Sequence, residues 1–136
     1  MKITSSAVSL NVDADNYYPQ RDGHIGPLDD GSMTSSRWTA EQLPGARVVK
    51  AFNTIQAGHL LAGGLPAGDP ARIALPVAAD DPDAKLTVMG LVEELGFDPI
   101  DAGGLDDSWR QQPGSPVYTT DRDAAGVRDG LASARR

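Results

Sequence analysis

A chain of 136 residues fits a single domain, and a compact domain of that size buries roughly two thirds of the surface its unfolded chain exposes. Nineteen acidic residues against twelve basic ones give a net charge of −7, with no lysine or arginine stripe to offset it. That balance argues against nucleic acid and anionic membrane surfaces as partners. The absence of cysteine excludes disulfides, thiolate chemistry and cysteine-ligated metals. No run of about 18 apolar residues suggests a membrane span, and residues 1 to 12 lack the apolar stretch of a signal peptide, so the expected location is cytoplasmic.

Fifteen glycines and ten prolines imply many turns between short elements. Ala7 to Asp13 alternates as a short strand does, and a turn-rich Asp15-Asn16-Tyr17-Tyr18-Pro19 follows it. Arg21 to Gly31 reads as a long loop, Ser35 to Leu43 as a short helix closed by Pro44-Gly45, and Arg47 to Phe52 as a second strand. Thr54 is placed to cap a helix from Ile55 to about Ala62, which Gly63-Gly64 stops. Ile73 to Val77 is a third apolar run, in which Pro76 belongs near the strand end or at an edge. The clearest helix follows, with Asp81 as N-cap, Pro82 at the first position, Gly96 as the C-terminal glycine, and Ala84, Val88, Leu91, Val92 and Leu95 at helical spacing. Phe97 to Asp101 returns as a strand. Asp106 to Arg110 allows one helical turn, Gln111 to Thr120 is loop, and Ala124, Val127 and Leu131 mark a last amphipathic helix.

This alternation predicts an α/β fold, a Rossmann-like three-layer arrangement around a mostly parallel sheet. If every strand is parallel, Asn16, Asn53 and Ala79-Asp80 share the edge where open α/β sheets bind ligands. A dinucleotide also needs a glycine turn at a helix N-terminus, and none is present: Gly63-Gly64 and Gly103-Gly104 have neither G-x-G-x-x-G nor P-loop spacing. His24 and His59 stand apart from any fixed-spacing partner, so metal and triad roles have little support. Asp80-Asp81 and Asp106-Asp107 adjoin helix starts, where capping and the helix dipole account for them. Asn16 with Tyr17 and Tyr18, and Asn53 with Thr54, place amides and aromatics directly after strands, suited to hydrogen-bonding and packing against a flat ring. On the residues alone, turns or caps are the stronger reading of both segments.

Together the segments resemble the NADP oxidoreductase, coenzyme F420-dependent family, whose nucleotide domain is similar to the cytosolic domain of the STEAP metalloreductases. The resemblance rests on residues 16–25 (Asn-Tyr-Tyr-Pro-Gln-Arg-Asp-Gly-His-Ile), 44–55 (Pro-Gly-Ala-Arg-Val-Val-Lys-Ala-Phe-Asn-Thr-Ile) and 72–78 (Arg-Ile-Ala-Leu-Pro-Val-Ala). It continues through 92–98, 101–103, 108–114 and 116–118, and covers residues 12 to about 130 as one partial NAD(P)-binding domain. Met1-Lys2-Ile3 looks like the opening of a family member's first strand. The resemblance implies a Rossmann domain lacking its first, glycine-fingerprint strands. It implies NADP as cofactor, F420 or a flavin as hydride partner, and Asn16, Tyr17, Tyr18, Asn53 and Thr54 as cofactor-binding residues on the nicotinamide side. Direct hydride transfer requires no acid-base dyad. Asp15 departs from the small or hydroxyl residue expected there and adds negative charge beside an anion-binding crevice. The resemblance thus implies an oxidoreductase that is incomplete and weak or inactive alone. Its partners would be small-molecule cofactors with a complementing N-terminal half or a second copy of the chain. A non-catalytic assembly module that pairs through an exposed sheet edge, and a truncated reading frame, are the alternatives.

Overall fold

The computed structural model describes residues 9–136; Met1-Lys2-Ile3 and the Ala7-Val8 start of the expected first strand lie outside them. Four strands, β1 (Leu10–Asp13), β2 (Arg47–Lys50), β3 (Ala74–Ala79) and β4 (Asp98–Asp101), form one sheet in the order β1-β2-β3-β4. β1 runs parallel to β2 and β3 parallel to β4, while β2 and β3 are antiparallel. The result is a mixed, mostly parallel sheet with helices on both sides, the Rossmann-like α/β arrangement that the alternation of elements predicts.

β3 is buried at all of its positions, as a strand covered on both faces must be. Leu75, Val77 and Ala79 turn to one face with Val49 and Ala51, where Ala84, Val88 and Val92 of α5 (Pro82–Glu94) pack with Phe97. Their spacing of four puts those three residues on one stripe of the helix. Ala74 and Ala78 face the other way with Ile100 and Ala102, against Val127 and Leu131 of α6 (Ala124–Ser133). Pro76 lies inside this central strand rather than at an end or edge. Only Val49↔Ala79 and Lys50↔Ala78 pair β2 with β3, so β2 has ended before it reaches Pro76 and nothing there requires the missing N–H.

Two single-turn helices, each opened by a proline, interrupt the turn and loop expected here: α1 (Pro19–Asp22) runs into the start of the Arg21 to Gly31 loop and α2 (Gly26–Asp29) lies within it. α3 (Ser35–Gln42) follows, and Thr34 Oγ1 caps it by accepting from the Arg37 N–H at 3.1 Å. The helix after β2 begins late. α4 spans Ala57–Ala62 with Gln56 at its N-cap position, and Thr54 is no cap: its carbonyl accepts from the Thr119 N–H at 2.8 Å, anchoring the turn at residues 52–55 to the loop before α6. α5 starts and stops where expected, with Gly96 at φ +99°, although the Asp81 side chain makes no capping bond and pairs with Arg47 at 3.3 Å. The turn expected at Asp106 to Arg110 is a 3-10 helix over Leu105–Gln111.

The antiparallel step corrects one expectation that matters for function. Asn16 and Asn53 follow β1 and β2 at one edge of the sheet, whereas Ala79-Asp80 ends β3 at the opposite edge.

Candidate functional site

β2 ends at Lys50, and two residues later Phe52 adopts φ +66°, a conformation costly for a bulky side chain and retained only where its surroundings enforce it. The kink breaks the strand's alternation and directs Asn53 toward Asn16 from the end of β1. Asn53 Nδ2 donates to Asn16 Oδ1 at 3.0 Å, and Asn16 Nδ2 donates to the Asn53 carbonyl at 3.1 Å. Gln111, at the end of the 3-10 helix, completes the lattice. Its carbonyl accepts from Asn53 Nδ2 at 2.7 Å, and its Nε2 donates to Asn53 Oδ1 at 3.1 Å and to the Pro76 carbonyl at 3.3 Å.

Bonding the amides in this way fixes the orientation of Asn53 and Gln111, because both N–H groups of each have named acceptors, while Gln111 Oε1 is buried without a partner. Asn53 is 3% exposed and both of its N–H groups are spent inside the lattice, so it holds Asn16 in place. Half-buried Asn16 retains one N–H beyond the lattice.

Asn16 and Tyr17 line a cleft of about 300 Å³ together with Ile25, Leu28, Trp38 and Lys50. Tyr17 is fixed at its far end: its hydroxyl accepts from the Ile25 N–H at 2.9 Å and lies 2.7 Å from Asp29 Oδ1. Desolvation and the Asp29 contact push its pKa up. Tyr18 turns away from the cleft, with Arg21 over its ring at 4.9 Å and its hydroxyl joined to that of Tyr118. Burial and that bond push Tyr118 up to about 12. Of the five residues expected to bind cofactor, Asn16 and Tyr17 therefore face the cleft, Asn53 and Thr54 are buried behind it, and Tyr18 braces the neighbouring loop.

Under the cleft Lys50, 1% exposed, meets Asp13, 6% exposed, at 3.4 Å. Asp13 also accepts from Ser36 Oγ and from the Asp15 N–H, each at 3.0 Å, and Lys50 Nζ also donates to the Asp15 carbonyl. Such a set of partners is what makes a buried pair tolerable. Burial pushes the Lys50 ammonium below its ordinary value, and Asp13 counters part of that shift.

The opposite edge is closed by ion pairs. Arg37 bridges Asp80 at 2.7 Å and Asp106 at 2.8 Å, and Asp80 Oδ1 also accepts from the Leu105 N–H at 3.0 Å. Of the paired aspartates, Asp107 and Asp80 support the start of the 3-10 helix through their side chains, Asp107 by accepting from the Gly104 N–H at 2.9 Å and Asp80 from the Leu105 N–H; arginines pair with Asp80, Asp81 and Asp106. The glycine pairs are consumed by packing: a Cβ on Gly64 would strike the Leu95 carbonyl, and one on Gly103 the Asp107 carboxylate. His24 and His59 meet Asp29 at 3.0 Å and Asp121 at 2.6 Å, with side chains 81% and 51% exposed. Among the described residues no group of three or more metal-ligating side chains is positioned to hold an ion, and no helix is long and apolar enough to cross a membrane.

Gln111, Trp38 and the Asp13–Lys50 pair are the features that sequence reasoning missed. Lys50 and Gln111 lay within segments that carried the family resemblance, but no spacing rule singles out a glutamine 58 positions from its partner.

No family model matches the chain. A stretch of 61 residues is 48% identical to the protein YjhV of Escherichia coli (strain K12), covering 45% of this chain and 44% of that protein. Among solved structures, the hypothetical protein SMa0349 from Sinorhizobium meliloti is 35% identical with a TM-score of 0.67, over 82% of this chain and 53% of that one. A protein from Arthrobacter sp. FB24 described as an F420-dependent NADP reductase is 27% identical with a TM-score of 0.56, over 76% of this chain and 47% of that one. The chain thus spans about half the length of each of these proteins. The likenesses support an α/β oxidoreductase-like fold, and the last agrees with a distant resemblance to F420-dependent NADP reductases.

Proposed function

We propose that this chain forms the nicotinamide-side half of an NADP-dependent oxidoreductase that passes hydride between NADP(H) and a deazaflavin such as F420 or a flavin. The observation that carries this reading is the Asn16-Asn53-Gln111 lattice, which holds an amide with an unspent N–H beside an aromatic-walled cleft at the paired carboxyl ends of β1 and β2. Open α/β sheets bind ligands at such strand ends.

The residues fit one part of the cofactor and not the other. Asn16 suits a carboxamide, and Tyr17 and Trp38 can cover a flat ring and keep water from it. The phosphates find no such support: the sequence has no glycine turn, and Lys50, the cation lining the cleft, is committed to Asp13. The bound cofactors supply the hydride chemistry. Asn16, held by Asn53 and Gln111, orients the carboxamide; Thr54 secures the turn that carries Asn53, and Tyr18 with Tyr118 braces the loop beyond. A cytoplasmic setting goes with this reading.

The complementing half would pair along β1, which is an edge strand among the described residues and whose Leu10 and Val12 are 36% and 41% exposed. Parallel edges of this kind accept a further strand. Pairing between two copies is disfavoured because it brings together two chains of charge −7. Titrating NADPH by its fluorescence tests the reading: binding is very weak for the chain alone and recovers when a glycine-fingerprint half is supplied. Tight binding by the lone chain overturns the half-site reading, and failure to recover overturns the assignment. Sedimentation at several concentrations addresses the edge, where self-association of the lone chain would favour a non-catalytic assembly role.

A further inference from the structure

The proposed function leaves open which redox form of the ring the cleft receives, and its charge answers that question. Three carboxylates, Asp13, Asp15 and Asp22, line the cleft against one ammonium, Lys50. Asp13 and Lys50 neutralise one another in the floor, and Asp22 is paired with Arg21 at 2.7 Å. Asp15 is exposed, and none of the ion pairs among the described residues includes its carboxylate. The Asp15 charge is felt by Lys50 and Arg21, and three carboxylates against these two cations leave one net negative charge at the mouth of a cleft whose walls include the rings of Tyr17 and Trp38 and the apolar side chains of Ile25 and Leu28. Aromatic faces and a nearby carboxylate both attract a cation, and both do so more strongly where water is partly displaced. A neutral ring gains only the stacking, and an anion is repelled.

We infer that the cleft selects a flat cationic heterocycle, an N-alkylated pyridinium, over the uncharged or anionic ring of the same size. This rests on the proposed nicotinamide site and adds a direction to it: the chain side of the site favours the oxidised, positively charged ring over the reduced, neutral one.

Three small probes, 1-methylnicotinamide, nicotinamide and nicotinate, isolate ring charge from the phosphates that the chain is not equipped to hold. Titrations followed by NMR at the Trp38 indole N–H should show the methylated cation binding about tenfold more tightly than nicotinamide, with nicotinate weakest. Asp15→Asn should remove most of the cation's advantage and leave nicotinamide affinity unchanged, and added salt should weaken the cation alone. Equal affinity for cation and neutral ring, or an advantage that survives Asp15→Asn, overturns the inference and leaves the nicotinamide site standing. Absence of binding by all three probes overturns the inference and the site together. Asp15 is exposed and its contacts to Asp13 and Lys50 run through its backbone, so the variant keeps the fold.

Discussion

The two edges of this sheet are built from different chemistry. At the carboxyl ends of β1 and β2 stand neutral amides, aromatic rings and a buried ion pair around an open cleft. At the carboxyl ends of β3 and β4, arginines spanning Asp80, Asp81 and Asp106 close the structure against itself. The antiparallel contact between β2 and β3 separates the two, because it sends the end of β3 away from the end of β2. The contrast shows which edge is committed to stability and which retains unspent hydrogen-bonding capacity.

Substitutions at each edge sharpen that contrast. The largest effect is expected under the cleft, where Lys50→Met leaves Asp13 buried without its cation and should cost about 3 kcal/mol in urea unfolding. Adding Asp13→Asn to that variant should recover much of the loss, because the buried charge is then gone. In the lattice, Gln111→Leu removes the donor to Asn53 Oδ1 and Pro76 and should cost about 1–3 kcal/mol. It should also broaden or shift the Asn16 side-chain amide resonances, which a loss confined to packing would not do. At the closed edge, Arg37→Ala breaks two partly exposed ion pairs and should cost no more than about 1 kcal/mol.

That last variant also predicts a pH dependence. Arg37 holds the Asp106 carboxyl below its ordinary value of 3.8. A depressed carboxyl contributes stability above the unfolded value, and the contribution is lost as pH falls through the folded value. The stability gap between the wild-type chain and Arg37→Ala should therefore narrow between about pH 5 and pH 2 in denaturation curves. The smallest effect is expected for Asp15→Asn, within about 0.5 kcal/mol of wild type.

Much of the fold is legible in the sequence, because hydrophobic spacing and glycine or proline stops act locally. Ala84, Val88 and Val92 announce α5, and Pro44-Gly45 marks the stop after α3. The β2–β3 orientation is not legible: apolar runs read the same in either direction, and only the packed sheet decides between them. For the same reason Asp80 was expected beside Asn53 and lies across the sheet from it. Pro76 is expected near the strand end or at an edge because its sequence does not disclose where β2 ends. In the site, Asn16 and Asn53 were visible as polar residues directly after strands. Their separation into one that faces the cleft and one that supports it depends on Gln111, whose contacts cross 58 residues of sequence, and on the left-handed turn at Phe52, which no β-prone run predicts.

The central claim is that the amide edge is the ligand edge. NMR of the isotopically labelled chain, joined by a glycine-fingerprint half and titrated with NADP, tests it directly. The side-chain amides of Asn16, Asn53 and Gln111 and the indole of Trp38 should shift, while the backbone amides of Gly103, Gly104 and Leu105 stay in place. Shifts confined to the Asp80 and Gly103 edge, or none at either edge, would contradict the account.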